Sequence, residues 1–133
     1  MRKFPIEIAS PDGIEFSGEI ESLLVHTDDG DAEILAGHAD FLASLPVGRA
    51  RLRVDSKNLF ASVAGGFLSV VNGKARMAVT TFEFASDIDL PRARAAKERA
   101  EEQLSRAKDD TELRILKAKL ARATNRISVA EYK

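Results

Sequence analysis

The sequence contains no cysteine, which excludes disulfides, thiolate nucleophiles and every cysteine-based zinc or iron–sulfur centre from its 133 residues. Histidine is almost as scarce, with only His26 and His38. Each reads as a satisfied surface or turn histidine rather than as a ligand or base. No apolar run reaches the roughly 18 residues of a membrane span. The opening MRKFPIEIASPDG is basic but lacks the apolar core of a signal peptide. A soluble, intracellular chain is expected, working at a membrane only through partners. A strong charge of either sign is missing too, since 20 basic residues against 21 acidic ones leave −1. Gripping nucleic acid by charge would demand a clear basic excess. Carboxylates paired near a plausible base are also lacking, so no catalytic residue is assigned. What is present, 44% hydrophobic and 31% charged residues, is a globular balance.

Two modules divide the chain. Residues 1–87 contain all eight glycines, three of the four prolines and all seven phenylalanines. Residues 88–133 contain no glycine, a single proline, and many Ala, Leu, Glu, Lys and Arg residues. Charge follows the same division: 8 basic against 13 acidic residues in the first module, 12 against 8 in the second. Modules of net −5 and +4 attract one another or choose different partners.

The first module has an apolar period of two. Phe4, Ile6 and Ile8 alternate with Pro5 and Glu7 before a turn at Pro11-Asp12-Gly13. Ile20–Val25 is a second expected strand. Leu52 and Val54 alternate with Arg49, Arg51 and Arg53, as in a strand with one wet face. Leu59–Ala64 and Phe67–Val71 follow, separated by Gly65-Gly66. Asn72-Gly73 then predicts a type I′ hairpin into Lys74–Thr80, because both central residues must take positive φ. Short strands at this spacing predict an antiparallel sandwich or barrel.

Helical spacing takes over in the second module. Ala93, Ala96, Ala100, Leu104 and Ala107 form one narrow apolar stripe. Asp89 is placed to cap this helix, with Pro91 in a first turn that tolerates a missing N–H. Lys108-Asp109-Asp110-Thr111 breaks the pattern, and Asp109 with Glu112 predicts a capping box. The second helix carries Leu113, Leu116, Leu120, Ala123 and Ile127 on one face. An alanine-lined seam buries little apolar surface, at about 25 cal/mol per Å². Such a hairpin is easy to detach or extend.

Candidate chemistry is sparse. Asp28, Asp29, Asp31 and Glu33 make an oxygen-rich run that lacks the EF-hand order, so a solvated loop is expected and no metal site. Gly65-Gly66 has neither the spacing nor the Lys-Ser/Thr of a phosphate loop, and points to a close backbone approach or a bulge. The basic residues of the tail are interleaved with Glu98, Glu101, Glu102 and Glu112, as on a solvated helical face. One arrangement stands out. In an antiparallel hairpin, Arg92 and Arg99 on the first helix share an end with Arg122 and Arg126 on the second, beside Asp89. From the residues alone two readings stay open: the guanidiniums splay into water, or they gather around an anion.

Several segments in one order carry a resemblance. These are Ile8-Ala9-Ser10-Pro11-Asp12-Gly13, the run Gly30-Asp31-Ala32-Glu33-Ile34-Leu35-Ala36-Gly37-His38-Ala39, and Ala64-Gly65-Gly66-Phe67-Leu68-Ser69-Val70. Ile88-Asp89-Leu90-Pro91-Arg92-Ala93 and Asn125-Arg126-Ile127-Ser128-Val129-Ala130-Glu131 complete the set. Together they resemble the epsilon subunits of bacterial F-type ATP synthase over essentially the whole chain. Ala32, Glu33 and Ala36 depart from the leucine, glycine and proline usual there.

The resemblance implies an α+β fold, with an N-terminal ten-stranded β-sandwich over 1–87 followed by a C-terminal antiparallel two-helix hairpin over 88–133. It implies a non-catalytic central-stalk subunit of the proton-translocating synthase, linking proton flow to ATP synthesis. The sandwich would dock on the gamma subunit and the c-subunit ring. The mobile hairpin would extend toward the beta and alpha subunits and inhibit ATP hydrolysis. No cofactor is required, but relatives imply a regulatory ATP held by positions matching Glu83, Ile88, Asp89, Arg92, Ala93, Arg99, Arg122 and Arg126. Placement would be peripheral, on the cytoplasmic side of the cell membrane. A free-standing adaptor with a partner-binding hairpin is the alternative, which gene neighbourhood separates.

Overall fold

Alternating burial produces the first strands as the sequence predicts: Phe4, Ile6 and Ile8 are buried while Pro5 and Glu7 are exposed. A computed structural model describes residues 2–132, and Met1 and Lys133, the outer ends of the two expected modules, lie outside the described residues. Eight strands follow in chain order: β1 (Phe4–Ser10), β2 (Gly13–Ile20), β3 (Ser22–Thr27), β4 (Gly30–Leu35), β5 (Phe41–Leu45), β6 (Gly48–Val54), β7 (Lys57–Val71) and β8 (Lys74–Phe84). Their hydrogen-bonded order is β2-β1-β8-β7-β6-β3-β4, with β5 also paired to β7. Only β1 and β8 run parallel among these pairs. The core is aliphatic, with Ile8, Ile20, Leu23, Ile34, Leu52, Leu68 and Met77 among its most buried side chains.

Two sequence expectations need correction. Ile20–Val25 is not one strand, because the chain breaks at Glu21 between β2 and β3. Ile20 and Leu23 both face the core, so an unbroken apolar run conceals the corner. Gly65-Gly66 does not separate two strands either. β7 runs through it, and β8 keeps one register on both sides, from Ala64↔Thr81 to Gly66↔Val79. The glycines sit where β7 changes its other neighbour, from β6 up to Val63 to β5 from Gly66 onward. A Cβ at Gly66 would lie 2.7 Å from the Val79 Cα and closer still to the Ala78 carbonyl oxygen, so the close approach requires glycine. β7 serves β6 with one half and β5 with the other as a single strand, and the described residues form eight strands where ten were expected. Asn72-Gly73 forms the expected hairpin turn, with φ of 51° and 75°.

The chain divides into two compact units, Met1–Phe84 and Ala85–Lys133. The second begins with a 3-10 turn at Ala85–Asp87 and continues into α1 (Leu90–Ser105) and α2 (Asp110–Ala130). The Asp109 side chain accepts from the Glu112 N–H at 2.7 Å, while the Glu112 carboxylate reaches the Lys108 N–H at 3.4 Å. The short connection between the helices folds α2 back along α1, and the two pack together. Ala93, Ala100, Leu116 and Ala123 are buried on the expected stripes. Ile115 lies off the stripe and is 53% exposed.

Candidate functional site

The start of α1 is built by Asp89. Its backbone is extended (φ −80°, ψ 97°), and its Oδ1 accepts from the Arg92 N–H at 3.1 Å. The Asp89 carbonyl accepts from the Ala93 N–H at 3.0 Å, the first regular bond of the helix. Pro91 falls in that first turn, where a missing N–H breaks no helical bond. One residue earlier, the Ile88 N–H bonds to the Ala85 carbonyl at 3.3 Å, and the Ile88 side chain is buried. Ala93 is fully buried, so the backbone around Asp89 is fixed from both sides.

The expected arginines stand differently from one another. Arg92, Arg99 and Arg122 are exposed, and Arg126 is half-buried. Arg92, Arg99 and Arg122 form no ion pair among the described residues. At about 1.5 Å per residue, Arg92 and Arg99 lie roughly 10 Å apart along α1, and Arg122 and Arg126 roughly 6 Å apart along α2. Because α2 returns along α1, its last turns with Arg122 and Arg126 come back to the level of Asp89 and Arg92. Arg99 lies two turns nearer the connection. The hairpin thus groups Ile88, Asp89, Arg92, Ala93, Arg122 and Arg126 at one end, with Arg99 at its margin. Exposed guanidiniums without carboxylate partners among the described residues, as at Arg92, Arg99 and Arg122, suit an anionic ligand with several acceptor oxygens. Glu83, the remaining expected residue, belongs to the sandwich unit on β8, paired in register with Ser62.

The residues set aside as solvated are engaged locally. His26 Nδ1 lies 2.9 Å from Asp31 Oδ1, and His38 Nδ1 lies 2.7 Å from the Ala39 carbonyl oxygen. Glu33 accepts from the Arg51 guanidinium at 2.7 Å. Asp31 and Glu33 of the acidic run are therefore engaged by a histidine and an arginine. No group of three or more metal-ligating side chains gathers among the described residues.

One feature escaped the sequence pattern. Leu42 on β5 is 72% exposed, and Phe67 and Val71 on β7 are also exposed. Leu42 pairs with Ser69, whose same-face neighbours along β7 are Phe67 and Val71. Opposite them on β8 stand Ala78, Arg76 and Lys74, so the apolar strip has a basic flank. The signal was there in Phe67–Val71, an apolar run on both faces of a strand whose inner face alone fills the core.

Comparison with known proteins places the whole chain. Residues 3–85 match the family model described as ATP synthase, delta/epsilon chain, beta-sandwich domain, and residues 86–131 match its long alpha-helix domain. The ATP synthase epsilon chain of Bacillus velezensis is 39% identical over 130 residues, covering 98% of both chains. That of Caldicellulosiruptor bescii is 35% identical, covering 98% of this chain and 96% of its own. Among solved structures, a chain of the Euglena gracilis mitochondrial ATP synthase, seen with OSCP, F1 and c-ring, superposes with a TM-score of 0.82 at 18% identity. It is matched over 98% of this chain and 82% of its own, and at that identity the likeness speaks for fold. No helix among the described residues is long and apolar enough to cross a membrane.

Proposed function

Because the chain belongs to the ATP synthase delta/epsilon chain family, we propose that it is the central-stalk subunit of a proton-translocating F-type synthase. In that role it is a rotor component that links proton flow to ATP synthesis. The sandwich docks on the gamma subunit and the c-subunit ring, and the hairpin regulates hydrolysis by the catalytic head. The chain reaches the membrane as a peripheral part of the complex and supplies regulation rather than catalysis. One observation carries the docking role: the exposed apolar strip of Leu42, Phe67 and Val71 on β5 and β7. Contiguous apolar surface of this kind marks a protein partner.

For the hairpin, ATP is the proposed ligand of Arg92, Arg99, Arg122 and Arg126, with Ile88 and Ala93 as a small apolar edge toward the base. Three exposed guanidiniums without an ion pair among the described residues, those of Arg92, Arg99 and Arg122, support this reading. ATP bridging the two helices favours the closed hairpin by its difference in affinity for closed and open forms. Opened, the basic hairpin meets acidic surfaces of the beta subunits and reaches the alpha subunits beside them.

Capture of the tagged chain from detergent-solubilised membranes of its host tests the role. The gamma, beta and alpha subunits and the c-ring are expected to co-purify with ATPase activity. A folded, captured chain that brings none of them overturns the reading.

A further inference from the structure

We infer that Asn72 is a site of self-modification, where the chain converts its own asparagine to aspartate and isoaspartate, and that Asp40 restrains the conversion. Asn72-Gly73 forms the turn between β7 and β8, and both residues take positive φ. Asn72 is exposed, and a Cβ added at Gly73 would meet nothing within 4 Å. The backbone nitrogen of Gly73 is thus approached with no side chain in the way. The strand ladder closes at the pair Val71↔Lys74, so the Gly73 N–H lies outside it. The other two asparagines lack this setting, since Asn58 precedes Leu59 within β7 and Asn125 precedes Arg126 within α2.

The chemistry needs only water and hydroxide. Hydroxide takes the Gly73 N–H proton, and the nitrogen attacks Asn72 Cγ. A C–N bond forms, the Cγ–Nδ2 bond breaks, and ammonia leaves with a proton from water, which restores the hydroxide. Water then opens the cyclic imide at one carbonyl or the other, leaving aspartate or an isoaspartate whose chain runs through the former side chain. Closing the imide requires Asn72 to rotate about its own bonds, and a formed turn resists that. Asp40, just before β5, adds to the resistance: its Oδ1 accepts from the Asn72 N–H at 3.0 Å. Conversion therefore runs through local opening of the turn. Isoaspartate lengthens the turn by one backbone methylene, which works against the Val71↔Lys74 register. Val71 belongs to the exposed strip, so conversion alters that surface.

Incubation of the full chain in warm, mildly alkaline buffer tests the inference, read by peptide mass spectrometry and ammonia release. Asn72 should convert while Asn58 and Asn125 stay amides. Asp40→Ala should convert about three- to tenfold faster, because the turn loses its bond to a charged acceptor. Asp40→Asn keeps an acceptor oxygen and should stay within about twofold of the parent. Circular dichroism confirms that each variant is folded, and Asn72→Gln, which cannot form the same small ring, should release no ammonia. Amide exchange at Val71 and Lys74 should quicken in the converted chain. If Asn72 converts no faster than Asn58, it is not a special site and the inference fails. An Asp40→Ala chain converting at the parent rate removes Asp40 from it, and unchanged exchange at Val71 and Lys74 overturns the effect on the strip.

Discussion

The Glu21 carboxylate accepts a hydrogen bond from the backbone N–H of Ser56 at 2.6 Å, tying the corner between β2 and β3 to the turn between β6 and β7. That turn has two central residues, Asp55 and Ser56, both at positive φ (50° and 66°) with no glycine to relieve the strain. Glu21 is almost fully buried, and its own N–H bonds to the Arg53 carbonyl at 2.8 Å. A strained turn persists where its surroundings over-determine it. Here a buried acid from a distant corner does so, while Lys3 holds Asp55 at 3.0 Å from outside.

Glu21→Ala should destabilise the protein by about 1.5–3 kcal/mol, the range for losing a hydrogen bond to a charged group. Ser56→Gly should do the opposite, raising stability by up to about 1 kcal/mol as the left-handed backbone loses its steric cost. Urea denaturation of both variants reads the two signs. Equal, small effects would show that the turn is held by its flanking strands alone.

The two adjacent glycines of β7 should respond unequally to alanine. At Gly66 the new Cβ meets backbone atoms that cannot swing aside, and the loss should exceed about 3 kcal/mol. At Gly65 (φ 61°) the nearest atom is the Thr80 hydroxyl oxygen at 3.5 Å, so only the positive φ penalises the change, by about 1 kcal/mol. Comparable denaturation midpoints for the two variants would refute this account of the close approach at Gly66.

Lys3 has a pKa raised above its ordinary 10.5, first by its hydrogen bond to Asp55 and then by the attraction of that charge. A cation with a raised folded-state pKa contributes its stability in full below 10.5, and the contribution disappears as pH climbs through the higher folded value. The stability difference between the parent and Lys3→Met should stay constant from neutral pH to about 10 and close above that. Both partners are exposed, so the difference is small and about 0.5 M salt should shrink it. A gap that instead widens at high pH contradicts the assignment.

Local rules were legible where one residue pair decides the conformation. Asn72-Gly73 announced its turn because both residues tolerate positive φ. Asp89 and Asp109 announced their helices because a side-chain oxygen had to meet a first-turn N–H. The Asp55-Ser56 turn was not legible, since its support comes from Glu21, 35 residues away. The corner at Glu21 was hidden for a related reason, as core-facing residues on both sides continue the apolar run. For the candidate site, spacing alone foresaw the arginines at one end of the hairpin. It could not show that Arg126 is half-buried while the other three are exposed.

Leu42→Glu combined with Phe67→Glu should leave the isolated chain folded, since both side chains already face solvent. Stability should change by no more than about 0.5 kcal/mol per site. Recovery of the chain with the synthase should fall at least tenfold, because two charges enter an apolar contact. Normal recovery would assign docking to another face.

Deleting residues 88–133 should raise ATP hydrolysis by the complex while leaving the chain assembled. The sandwich has its own aliphatic core and should fold without the tail. The hairpin seam, by contrast, relies on small groups such as Ala93, Ala100 and Ala123, each burying little apolar surface. Little apolar burial per residue opposes its opening, and 12 basic against 8 acidic residues give the opened tail an attraction for acidic partners. Arg122→Ala with Arg126→Ala removes two of those charges and should relieve inhibition in part. It should also abolish the stabilisation of the closed form by ATP, so the double variant loses the nucleotide dependence of hydrolysis as well as some inhibition. Hydrolysis is measured on membrane vesicles without a proton gradient, with the truncated chain quantified in the same preparation. An unchanged rate at full occupancy by the truncated chain would remove the hairpin from the regulation of hydrolysis.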